Sequence, residues 1–278
     1  MNHRGLQLRM AIVGTILFGF YLAIATVAYA AFGIPLAIVL IGSFGLVGIQ
    51  YVIGKKMAIW STGAEDMPDE GEYARVHRSV EQFSDEMGIE KPRLMVARMG
   101  VPNAFATGRR GAGIVVVSEE LMAILDHDEL EGVLAHELAH IENRDVLTMT
   151  IGQSIAMIVG IAVHWIVMMT GERSIANYFL GWIAGMLAQM LVMVFVMAIS
   201  RYREYVADAD AAAVIGSGDP LARALEKISR GAQSSGNEVD DSVAALCIFG
   251  GAERLLSTHP PTEERISRLQ SLEVSQYR

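Results

Sequence analysis

The sequence predicts an α+β chain, mainly α, in which a small sheet and several helices form a polar domain carried on four membrane-crossing helices in two hairpins. Three observations predict it. Uncharged runs long enough to cross a bilayer occur in two blocks, at Met10–Gly54 and between Val146 and Ser200. The segments outside them carry helical periodicity and short β-rich runs. Basic residues flank each block at its outer ends and are nearly missing from its middle.

Composition limits the function classes. Of 278 residues, 52% are hydrophobic and the net charge is -9. Mean hydropathy is +0.36, and the excess sits in blocks, as membrane segments require. No basic stripe is available to neutralise phosphates, so nucleic acid is not an expected partner. The single cysteine, Cys247, rules out an intrachain disulfide framework and a cysteine metal cage. The cytosol is the simplest compartment that fits.

The first block has no charged residue from Met10 to Gly54, about twice the roughly 20 residues that one spanning helix needs. "FGIPL", Phe32–Leu36, breaks it with Gly and Pro, giving spans of about 10–31 and 35–53. A cleaved signal peptide is the alternative, since Ala28-Tyr29-Ala30 resembles a cleavage site. The apolar run continues past it, however, and ends at Lys55-Lys56. The second block supplies Val146–Thr170 and Tyr178–Ser200, joined by "GERSIAN", Gly171–Asn177. His164 beside Trp165 reads as a packed or interfacial residue.

Arg4, Arg9, Lys55 and Lys56 flank the first hairpin, and Arg144, Arg201 and Arg203 flank the second. The positive-inside rule then expects a multi-pass protein of the cytoplasmic membrane, with both termini and the polar domain on the cytoplasmic side. The expected division is 1–56, 57–145, 146–200 and 201–278. Whether the second hairpin crosses fully or dips in from one face stays open at this stage.

In the polar parts, Ser61–Tyr73 reads as an acidic linker and Ala74–Ile89 as an amphipathic helix with Val76, Val80, Phe83 and Met87 on one face. "PRLMVARM" and "GIVVVS" read as strands around a turn-rich segment, Val101–Gly113. A helix is expected from near Asp128, another over Asp219–Ala232, and a last one in the tail behind Pro260-Pro261.

The chemistry centres on "HELAHIENRD", His136–Asp145. On a helix, His136 and His140 share a face and can bind one ion, with Glu137 beside them to take a proton. A catalytic zinc wants three protein ligands and an open position. A third histidine in the metzincin spacing is excluded, because Asn143 and Val146 occupy the glycine and histidine positions. "SRYREYVADAD" offers Glu204, with Asp208 one turn on to accept a ligand histidine's free N–H. A solvated acidic helix face is the plainer reading of those two residues. The second hairpin favours the metal site: it returns Glu204 to the side of His136 and His140, close to the bilayer. The result is a membrane-anchored zincin catalytic domain of the gluzincin type, with one Zn2+ per chain.

HELAH, then EYVAD, with PNAFATG upstream and STHPPTEER downstream, resembles the HtpX-like membrane zinc metalloproteases of the M48 peptidase family. The resemblance implies His136, His140 and Glu204 as zinc ligands, Glu137 as general base and Asp208 in support. It also implies His259 and Arg265 as aids to the tetrahedral intermediate. Asn103, Ala104 and Phe105, within Pro102–Ala106, would form a substrate-binding edge. Its implied activity is endopeptidase cleavage of misfolded or damaged membrane proteins, so polypeptides and the lipid bilayer are the expected partners. A non-catalytic membrane scaffold is the competing class. It leaves the His/Glu constellation as coincidence.

Overall fold

The computed structural model of the chain describes residues 35–172, 174–234 and 259–272, with scattered positions between 12 and 33. Contacts divide the chain into a polar unit, Met1–His3, Gly54–Leu147 and Arg201–Arg278, and an apolar unit, Arg4–Ile53 and Thr148–Ser200.

The polar unit is built on a four-stranded sheet of order β1-β2-β4-β3, with β1 Glu65–Asp66, β2 Arg93–Ala97, β3 Ala104–Thr107 and β4 Ile114–Ser118. β4 runs parallel to β2 and antiparallel to β3, while β1 pairs antiparallel with β2. β4 is central because "IVVVS" is β-branched and apolar on both faces, and all five of its residues are buried. Alternation assigns the two faces. Leu94, Ala104, Val115 and Val117 join the main helical core, whereas Met95, Phe105, Ile114 and Val116 pack with Ala58 and Ile59. The turn-rich segment therefore contains a strand, β3, that its composition hides. Pairing with β4 makes it extended.

Helix α1, Leu36–Thr62, carries Ala58 and Ile59 and runs nine residues beyond the predicted end of its span at 53. The acidic linker holds its end, β1 and one 3-10 turn. Next comes α2, Ala74–Met87, which buries Val76, Val80, Phe83 and Met87 as its periodicity requires. It stops at Gly88, whose left-handed φ of 66° lets its N–H return to the last turn. A short α3, Glu119–Ile124, leads into α4, His127–Glu142. α4 opens on a capping box, in which Asp126 N–H donates to Glu129 Oε2 at 2.9 Å.

The chain turns sharply after α4. Arg144 takes a left-handed φ of 57°, uncommon for a residue with a side chain. The motif helix thus ends at Glu142 instead of running on, and α5, Asp145–Thr170, starts afresh. By contrast α6, Ile175–Ile215, is unbroken through the predicted span and the whole EYVAD segment. α7, Asp219–Ser234, and α8, Thr262–Ser271, complete the described helices.

Among the described residues, three helices are long and apolar enough to cross a membrane, at Ala37–Thr62, Asp145–Thr170 and Ile175–Ile215. Nine of the 22 positions of the first predicted span, about 10–31, lie outside the described residues, and a shorter apolar helix, Gly14–Ala23, falls within it. In the apolar unit α5 and α6 approach closely at Gly160 and Gly185. A Cβ on Gly185 would stand 2.5 Å from the Gly160 carbonyl oxygen. Ser154 donates to Gln50 Oε1, and the His164 ring packs edge-on against Tyr178 at 5.4 Å. His164 is a packed residue.

Candidate metal centre

α4 is buried along nearly its whole length, with Leu130, Val133, Leu134, Leu138 and Ile141 in the core. That packing fixes the direction in which His136 and His140 project. α6, past the end of its uncharged run at Ser200, brings Glu204 and Asp208 alongside. One ligand atom each from His136, His140 and Glu204 falls within a span of 4.8 Å, a group able to hold a metal ion. The two Nε2 atoms are 3.0 Å apart, and Glu204 carboxylate oxygens lie 3.5 Å from His136 Nε2 and 3.4 Å from His140 Nε2.

The outer ring nitrogens decide how to read that triangle. His136 Nδ1 lies 3.0 Å from Asp208 Oδ1, and His140 Nδ1 lies 2.6 Å from Asp145 Oδ2. A carboxylate only accepts, so His140 Nδ1 carries the proton and that ring turns its lone pair inward from Nε2, while Asp208 stands against the corresponding nitrogen of His136. Two ring nitrogens facing each other at 3.0 Å beside a carboxylate call for positive charge between them, a proton or a metal ion. Tetrahedral zinc with ligands at about 2.0–2.1 Å would separate its donor atoms by roughly 3.3 Å, close to the edges found here. The donor set fits zinc.

The surrounding charges agree. Burial opposes charge on Glu204, but His259 and Arg265 outweigh it and hold the carboxyl well below its ordinary value. Asp208 is lowered in the same way: burial opposes its charge, and Arg265 and His136 overcome that. For His136, burial disfavours the imidazolium, yet hydrogen bonds to Asp208 and Glu204 raise its pKa to about 9. A proton and a metal therefore compete for the same buried nitrogen. Burial together with the neighbouring His136 lowers His140. Burial raises Glu137, partly countered by the histidines, and the Ala106 backbone hydrogen-bonds to it. That bond ties the motif glutamate to β3.

Other expected site residues gather here in different postures. His259 Nδ1 is 3.1 Å from Glu204 Oε2, and the side chain is part-exposed. Arg265 is only 2% exposed, and its guanidinium is committed: Nε and Nη2 donate to Asp208 at 2.9 and 2.7 Å, and Nη1 lies 3.1 Å from Glu204. Nη2 also lies 3.4 Å from His136 Nε2, so the guanidinium borders the metal group while its bonds go to the two carboxylates. Asn103, Ala104 and Phe105 are buried through their side chains. Phe105 even lies on the sheet face opposite the main core, so only main chain is available along β3.

Two residues escaped the sequence reading. Asp145 orients His140, and Arg203 pairs with Asp145 while donating to the Asn143 carbonyl at 3.3 Å. Arg203 was expected only as a flanking charge, yet it is buried. Asp145 stands five residues after His140, a spacing that a continuous helix would not bring to the ring. The corner at Arg144 does.

Comparison with known proteins follows the same lines. The model of peptidase family M48 matches residues 70–273. The Protease HtpX homolog of Halobacterium salinarum is 54% identical over 290 aligned residues, covering 94% of this chain and all of that protein. The Protease HtpX homolog of Aquifex aeolicus is 37% identical, covering 90% of this chain and 88% of its own. The crystal structure of S. mikatae Ste24p superposes with a TM-score of 0.60 at 21% identity, covering 95% of this chain. This chain spans 63% of that protein's length, and the likeness concerns the fold alone.

Proposed function

This chain belongs to peptidase family M48, and from that premise we propose that it is a zinc-dependent endopeptidase cleaving misfolded or damaged membrane proteins at the cytoplasmic face. The convergence of two imidazole lone pairs and the Glu204 carboxylate beside Glu137 carries the reading. A scaffold has no use for that arrangement.

Zinc held by His136, His140 and Glu204, one ion per chain, supplies the Lewis acidity that makes water nucleophilic near neutral pH. Glu137 takes the proton of the attacking water and passes it to the leaving amine. Its burial, which raises the carboxyl, suits that exchange. His259, beside Glu204, donates to the oxygen that gains charge. Arg265 acts through Asp208 and Glu204 as a positioning residue, keeping both ionised and in place. β3 ends the sheet order, so its outer edge can take an extended substrate as an added strand. Recognition through main chain favours unfolded polypeptides of varied sequence.

The cytoplasmic assignment rests on the basic flanks of both hairpins, and the choice of membrane substrates on a catalytic unit joined directly to spanning helices. The deciding experiment is Glu137→Gln in the purified full-length protein. An amide cannot accept the proton, so metal content should stay while hydrolysis of an unfolded membrane polypeptide falls at least about 100-fold. Near wild-type hydrolysis would refute the mechanism.

A further inference from the structure

We propose that the β3–β4 turn, with Arg109 and Arg110, and the paired Lys55 and Lys56 of α1 form a cationic clasp for the phosphate of anionic phospholipids. The inference rests on the reading that α1 crosses a bilayer. α1 is one continuous helix whose uncharged stretch ends at Gly54, so Lys55 and Lys56 fall where hydrocarbon gives way to headgroups.

Two ties bring the turn to that level. Lys55 Nζ donates to the Ala112 carbonyl at 3.0 Å, fastening the turn to α1 just past its apolar part. On the other side Arg110 Nε donates to the Glu142 carbonyl at 2.8 Å, three residues before α5 begins at Asp145. The turn closes through Ala112 N–H to the Arg109 carbonyl at 2.8 Å, leaving Arg109 and Arg110 exposed at its tip. Lys56 is exposed too, and neither it nor Arg109 enters an ion pair among the described residues.

Facing acids are few. Arg110 already engages Glu142, with Nη2 3.6 Å from Oε1. Glu90 reaches toward Gly111, its carboxylate oxygens 3.5 Å from where a Cβ there would stand. Four cations against two carboxylates leave an excess positive charge at headgroup depth, where a phosphodiester is the complementary group. The consequence reaches the site, because this turn ends the hairpin whose β3 hydrogen-bonds Glu137. A bound lipid would hold the proposed substrate edge at the membrane surface.

The test uses the purified full-length protein in phosphatidylcholine vesicles, titrated with fluorescent phosphatidylglycerol. Each basic residue near an anionic surface contributes about 1 kcal/mol, so Lys56→Ala with Arg109→Ala should weaken phosphatidylglycerol binding roughly 25-fold. Arg230→Ala, which removes a cation from α7, should leave it unchanged. Equal binding by the double variant and the wild type overturns the clasp. Displacement of the lipid by millimolar inorganic phosphate overturns the lipid assignment in favour of free phosphate. Failure of the wild-type protein to float with the vesicles overturns the bilayer reading, and the clasp with it.

Discussion

At the scale of single residues, the two histidines are held by different carboxylates with different backing. Asp208 behind His136 is clamped by Arg265, and Asp145 behind His140 is paired with Arg203. Each chain of contacts runs from a surface-inaccessible arginine through a carboxylate to the neighbourhood of a ring Nδ1, holding Nε2 inward. Glu204→Ala should abolish tight metal binding, since two histidines cannot hold zinc as three ligands do. Asp145→Asn should cost about 10–100-fold in metal affinity. That single change also strands the Arg203 charge, at about 3–5 kcal/mol of stability. Asp145→Asn with Arg203→Met removes both charges together. The double variant should recover most of the thermal stability while keeping the affinity loss, as read by chelator competition and a melting curve. Recovery of both would make Asp145 merely structural. Asp208 was legible in the sequence because i and i+4 on one helix must share a face. Asp145 was not, because its place depends on a corner that no local pattern announces.

At the scale of elements, the motif helix is positioned by how closely it packs. A Cβ on Gly132 would lie 2.8 Å from the Leu221 backbone nitrogen and 2.9 Å from its Cα, so α4 and α7 meet through bare backbone. Backbone cannot swing aside as a side-chain tip can. Gly132→Ala should therefore lower stability by about 1–3 kcal/mol through overpacking, despite alanine's better helix propensity. Denaturant unfolding of the metal-loaded protein measures this, and an unchanged or higher midpoint would contradict the close approach. Legibility at this scale follows the strength of the local signal. α2 could be read from Val76, Val80, Phe83 and Met87 because an amphipathic stripe is a local property. β3 could not, because Pro102, Asn103 and Gly108 surround it with turn residues and its extended form comes from pairing with β4. The end of α4 is equally hidden: Asn143 and Arg144 carry no stop signal in the sequence, and the left-handed φ at Arg144 appears only in the fold.

At the scale of the whole molecule, the remaining issue is which side of the bilayer each segment occupies. α5 has 26 residues, about 39 Å of helix at 1.5 Å each, against a hydrocarbon core of about 30 Å. α6 is longer still at 41 residues, so both can cross completely with length to spare. The turn between them carries Glu172 and Arg173, whose charges cancel, whereas Arg144, Arg201 and Arg203 lie at the other ends. Full crossing thus puts Glu172 a bilayer away from His136 and His140, and leaves Glu204 as the carboxylate able to join them. Ser174 is exposed in this turn and accepts a hydrogen bond from Asn177 N–H at 3.1 Å. A cysteine at that position can keep a weak version of the contact. Ser174→Cys, with Cys247→Ser to remove the native thiol, should be labelled by a membrane-impermeant reagent only from the extracytoplasmic side. Labelling from the cytoplasmic side instead would mean that the second hairpin returns without crossing, and the two-hairpin topology would be wrong.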